Sequence, residues 1–67
     1  MTLEIYEGYT KDYVIVGTKS RSYEAEQFRK DWGSTVKIYT SDLYNSLSEI
    51  VSYVNNELGE SCEFTLS

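Results

Sequence analysis

The side chains able to do acid–base, nucleophilic or ligand chemistry are eleven carboxylates, six lysines and arginines, seven tyrosines and one cysteine; there is no histidine. The chain therefore lacks the usual proton shuttle at neutral pH and the commonest transition-metal ligand. A catalytic base would have to be a carboxylate, a tyrosine or a lysine, and no acid stands at a recognisable spacing from a nucleophile. Glu4, Glu7 and Asp12 come nearest to a paired-carboxylate arrangement. A hairpin at the edge of a small domain, however, offers little apolar surrounding to raise a carboxyl pKa, so these read as solvated acids. Cys62 lies near Glu60 and Glu63, whose charge opposes thiolate formation, and it reads as a packed core residue. Gly8, Gly17, Gly33 and Gly59 stand alone, matching neither a phosphate loop nor a dinucleotide fingerprint. No run of alternate acids forms a calcium loop. The expectation is a protein that is not an enzyme and carries no cofactor and no metal.

Two features stand apart from this background. The first is the placement of charge. All six basic residues (Lys11, Lys19, Arg21, Arg29, Lys30, Lys37) precede Ile38, among six acids. From Ile38 onward there are only Asp42, Glu49, Glu57, Glu60 and Glu63, so the net charge of −5 resides in the C-terminal part. A surface of one sign draws an oppositely charged partner and speeds its association, although plain solubility explains an acidic face equally well. The second is the tyrosine content. Tyrosine combines apolar area with a hydrogen-bonding tip at small entropic cost and is enriched at interfaces, and it is also a good strand former.

These side chains are carried by elements that hydrophobic periodicity marks out. Leu3–Glu7 alternates apolar and polar residues as a strand with one buried face, and Gly8–Asp12 is a turn. Tyr13–Val16 is a β-branched run ending at Gly17 and reads as a more fully buried strand. Ser20 or Ser22 caps a helix running to about Trp32, with Glu24 and Glu26 in its first turn and Gly33 closing it. Ala25, Phe28 and Trp32 share its apolar face, and Glu26 pairs with Lys30 on the other. Thr35–Thr40 alternates again as a third strand. Ser41 caps a second helix whose apolar stripe is Leu43, Leu47, Ile50, Val51, Val54 and Leu58, ended by Gly59. Cys62, Phe64 and Leu66 alternate with Glu63 and Thr65 as a terminal strand.

The expected fold is thus α+β, residues 1–67 forming one domain. A small four-stranded twisted sheet, in the order strand, strand, helix, strand, helix, strand, has two helices packed on one face. On the second helix Asp42, Asn45, Glu49, Tyr53 and Asn56 fall opposite the apolar stripe. With Glu57, Glu60 and Glu63 they form the expected partner-binding surface, Tyr53 being its exposed aromatic. Tyr6 and Tyr39 lie out of phase with the apolar positions of their strands and face solvent on the sheet; Tyr13 and Tyr44 lean towards the core.

In size, acidity and lack of catalytic motifs the chain resembles small phage-encoded inhibitors, among them anti-CRISPR proteins and DNA mimics. The likeness covers composition and layout and carries no residues across. It implies a non-catalytic module whose acidic, tyrosine-bearing surface blocks a basic, nucleic-acid-binding partner protein, with no direct binding of nucleic acid. Two alternatives stand beside it. One is a structural or accessory subunit or a homodimer, since a core this small gains from a partner. The other is a single-stranded nucleic-acid binder through Tyr6 and Tyr39, near Lys37, which the net charge opposes. No apolar stretch reaches membrane-spanning length and the opening residues lack a signal-peptide pattern. A cytoplasmic location follows as the expectation, the host cytoplasm if the chain is virus-encoded.

Overall fold

In the computed structural model, which describes residues 1–67, strand β1 (Thr2–Glu7) and strand β2 (Tyr13–Gly17) form a hairpin. Helix α1 (Tyr23–Trp32), strand β3 (Val36–Tyr39), a 3-10 turn (Thr40–Asp42), helix α2 (Leu43–Asn56) and strand β4 (Glu63–Leu66) follow. The protein is α+β, as the patterning predicts. In space the strands do not follow their chain order: the sheet runs β3-β2-β1-β4. β2 is antiparallel to both β1 and β3, whereas β4 lies parallel to β1. Strands β1, β3 and β4 therefore share one direction, and α2 carries the chain across the sheet from one edge to the other.

Register decides which side chains share a face, because directly opposed residues project to the same side. One face carries Leu3, Ile5, Val14, Val16, Val36, Ile38, Phe64 and Leu66. Both helices cover it: Leu3, Val16 and Ile38 form one buried cluster with Phe28 of α1 and Ile50 and Val54 of α2. Cys62 packs at its margin, as its alternation predicts. The other face carries Tyr6, Tyr13, Ile15, Lys37, Tyr39 and Glu63 and has no helix against it. β2 is thus buried on one side only, which corrects the expected fully buried strand: Val16 is enclosed, while Ile15 and Tyr13 stand half-exposed on the open side.

Helix α1 begins where its chemistry directs. Ser22 is the cap, its Oγ accepting from the Ala25 N–H at 3.2 Å, and Gly33, at φ 107°, returns its N–H to the Arg29 carbonyl at 2.9 Å. The expected Glu26–Lys30 pair is not made; the ion pairs present are Met1–Glu60 and Lys19–Glu4. Both α1 side chains are exposed, where such a pair gains little over hydration. Helix α2 starts differently from the expected Ser41 cap. The 3-10 turn places Asp42 at the cap position, and its side chain makes no capping bond. Instead the Asp42 carboxylate accepts from Asn45 Nδ2 and Ser46 Oγ, both at 3.2 Å. At the other end Gly59, at φ 65°, lets the Glu60 N–H return to the Val54 carbonyl at 3.1 Å.

Candidate functional site

The residues expected to form one acidic surface divide among several places. Asp42, Asn45, Glu49 and Asn56 are exposed along α2, as their spacing predicts. Tyr53 is not the exposed aromatic of that face. It follows Ile50 by three positions and so flanks the apolar stripe, on the side where α1 packs. Its ring meets Trp32 edge-on at 5.8 Å between centroids and Phe28 at 6.3 Å, and its hydroxyl donates to the Asp31 carboxylate of α1. Burial of the ring, then the bond to Asp31 and the charges of Asp31 and Glu57, push the phenol up to about 12. Glu60 lies half-buried, 3.9 Å from the N-terminal ammonium. Glu63 opposes Thr2 and so projects from the open side of the sheet, away from both helices.

What the helix layer assembles is a groove of about 430 Å³ between α1 and α2. Glu24, Asp31 and Glu57 supply its carboxylates, Tyr23 and Tyr53 its aromatic walls, and no lysine or arginine lines it. Glu57 belongs to the expected surface. Sequence pattern does not join Glu24 and Asp31 to it, because the basic residues nearby balance the charge of the N-terminal half. The spacing of Glu24, Gln27 and Asp31 along one face of α1 was the available signal. The bases diverge from that face: Arg29, for instance, donates from Nη1 to the Thr18 and Ser20 carbonyls at 3.3 and 2.9 Å, tying the β2–α1 loop.

The open side of the sheet gathers a second group. Tyr6 and Tyr39 both lie there, as expected, joined by Tyr13, which does not lean into the core. Tyr13 and Tyr39 meet edge-on at 6.4 Å, and Lys37 Nζ stands 4.3 Å from the Tyr13 centroid and 5.2 Å from that of Tyr39, a cation–π geometry. Tyr44 does not lean into the core either: it is 82% exposed, one position past Leu43 at the border of the apolar stripe. A hollow of about 470 Å³ lies at the β1–β2 loop, where Glu7 and Lys11 bring opposite charges.

Carboxylate chemistry gains nothing from the hairpin. Glu4 projects from the open face and Glu7 from the other, and Glu4 is engaged by Lys19 at 3.8 Å and Ser67 Oγ at 3.2 Å. Cys62 is half-buried, and burial pushes its thiol up despite the opposing pull of the N-terminal ammonium. No helix is long and apolar enough to cross a membrane. The chain matches no protein-family model, no curated protein and no solved structure.

Proposed function

We propose that this chain is a non-catalytic binding module that inhibits a basic, nucleic-acid-binding protein by occupying its groove with the acidic helix layer. The observation that carries the reading is the groove between α1 and α2, where Glu24, Asp31 and Glu57 converge without a base and exposed Tyr23 stands at the rim. Carboxylates on a rigid helical pair present negative charge in the way a phosphate backbone does, and they attract the same lysines and arginines. Asp42 and Glu49, exposed along α2, extend that field.

The test is capture of partners from source-cell lysate on the immobilised chain, with nuclease present, followed by elution in rising salt. A nuclease-resistant basic protein, released by salt and lost when Glu24→Lys and Glu57→Lys are combined, supports the reading. Retention of the same protein by that double variant leaves the acids as solvated surface. A second reading rests on the open sheet face, where Tyr13 and Tyr39 flank Lys37 and Tyr6 lies two strands away on the same side. Retention of single-stranded nucleic acid, lost on Tyr6→Ala or Tyr39→Ala, would favour that face instead.

A further inference from the structure

Strands β3 and β4 end the sheet on its two sides. Neither is blunted by proline, which the chain lacks, and both pair in unbroken register. Each edge carries one charge, and the two are opposite: Lys37 on β3 and Glu63 on β4. A charged side chain on an edge strand commonly guards against pairing with another chain. Here the guard is selective. β3 against β3 brings Lys37 near its own copy, and β4 against β4 does the same for Glu63. Only β3 against β4 sets opposite charges together.

We propose that copies of this chain associate head to tail, β4 of one docking in parallel on β3 of the next to continue a single mixed sheet. Strand direction and side-chain facing agree with it, and the backbone facing that follows from them completes the ladder. Direction comes first: β3 and β4 run parallel within one molecule, so an added copy with its helices on the same side presents β4 parallel to β3. Side-chain facing comes second. Lys37, Tyr39, Glu63 and Thr65 belong to the open face, and Ile38, Phe64 and Leu66 to the helix-covered face. Setting Lys37 opposite Glu63 of the next copy therefore also sets Tyr39 opposite Thr65, and Ile38 opposite Phe64.

Backbone facing comes third. The Thr40 N–H donates to the Asp12 carbonyl at 2.9 Å, so the peptide groups of Lys37 and Tyr39 point to the free edge. Glu63 N–H donates to Met1 and Ser67 N–H to Ile5, at 3.0 and 2.9 Å, which turns the peptide groups of Phe64 and Leu66 outward. A parallel ladder in this register joins those outward groups: Phe64 N–H to Lys37 carbonyl, Tyr39 N–H to Phe64 carbonyl, and Leu66 N–H to Tyr39 carbonyl. In the same docking Leu66, 84% exposed on the apolar side of the sheet, comes to lie opposite Thr40 and diagonal to Ile38. Such an interface is heterologous and propagates unless it closes into a ring. The inference does not rest on the acidic groove, which lies between the helices.

Sedimentation velocity over a concentration series at fixed salt tests it. The average mass of the wild type is expected to rise with concentration past the dimer. Lys37→Glu and Glu63→Lys should each weaken association by roughly tenfold per interface. Glu63→Lys is the sharper of the two, since it brings the net charge of −5 nearer to zero and would strengthen association if only general repulsion mattered. The double variant K37E/E63K, and an equimolar mixture of the two single variants, should restore association. Both positions are exposed, and circular dichroism checks that each variant folds. A wild type that stays monomeric throughout overturns the proposal, as does a dimer that saturates and ignores E63K, the signature of like-edge pairing.

Discussion

Tyr53 has its hydroxyl committed to Asp31 and its ring to Phe28 and Trp32, so it links the helices rather than offering itself to a partner. Its phenol is pushed from 10.0 up to about 12, which means that folding favours the protonated form. The stability this gives is complete below pH 10.0 and is lost as the pH rises through about 12. In an ultraviolet tyrosinate titration of the folded protein, Tyr53 is expected to give a late step. Tyr53→Phe should remove that late step and Asp31→Asn should bring it down; a titration unchanged by Tyr53→Phe would assign the late step elsewhere. Cys62 is expected to react slowly with a thiol reagent in the folded state and rapidly in urea, because burial raises its thiol. Its packing was legible from alternation with Phe64 and Leu66. The fate of Tyr53 was not, because a helical wheel shows which residues leave the stripe and not which flank a second helix will cover.

At the scale of the elements, start and stop signals held where local chemistry acts alone. Ser22 caps α1 within its own turn, so Ser22→Ala should cost about 1 kcal/mol, measured by urea denaturation. Gly59 sits at φ 65°, in the left-handed region that costs an L-residue about 1–2 kcal/mol, so Gly59→Ala should destabilise by about that amount. Gly8 is constrained by packing instead. A Cβ there would stand 2.5 Å from the Tyr13 ring and 2.6 Å from the Tyr13 carbonyl. Gly8→Ala must therefore displace Tyr13 and loosen the Tyr13–Tyr39–Lys37 cluster, a change visible in the near-ultraviolet circular dichroism of those tyrosines. The Ser41 cap failed for a comparable reason. The Thr40 N–H and Oγ1 both bond to the Asp12 carbonyl at 2.9 and 3.1 Å, so the chain is held to β2 there and enters α2 through a tight 3-10 turn.

For the molecule as a whole, one small cluster carries the fold. Seven apolar residues are buried, with Phe28 the largest, and it stacks on Trp32 at 6.1 Å. Phe28→Ala should cost about 3–5 kcal/mol, comparable with the entire stability of a small domain, and leave a largely unfolded chain by thermal melting. Charge acts at the same scale. Partner binding through the acidic helix layer should weaken steeply with salt, whereas apolar self-association should respond little. Binding unchanged across a salt series would move the site off the groove.

The amino-acid order by itself determined the elements, most of their apolar stripes, the α1 cap, the absence of a base beyond Ile38 and the open-face placement of Tyr6 and Tyr39, because these follow from periodicity and near-neighbour chemistry. Tertiary structure alone decided the rest. Glu24 and Asp31 come beside Glu57 because two helices share one face of the sheet. Glu63 leaves that company because strand parity turns it to the other side. β3 and β4 are the edges because β1 pairs with β2 on one side and with β4, in parallel, on the other. Each of these depends on contacts between residues far apart in the chain, on which local pattern is silent.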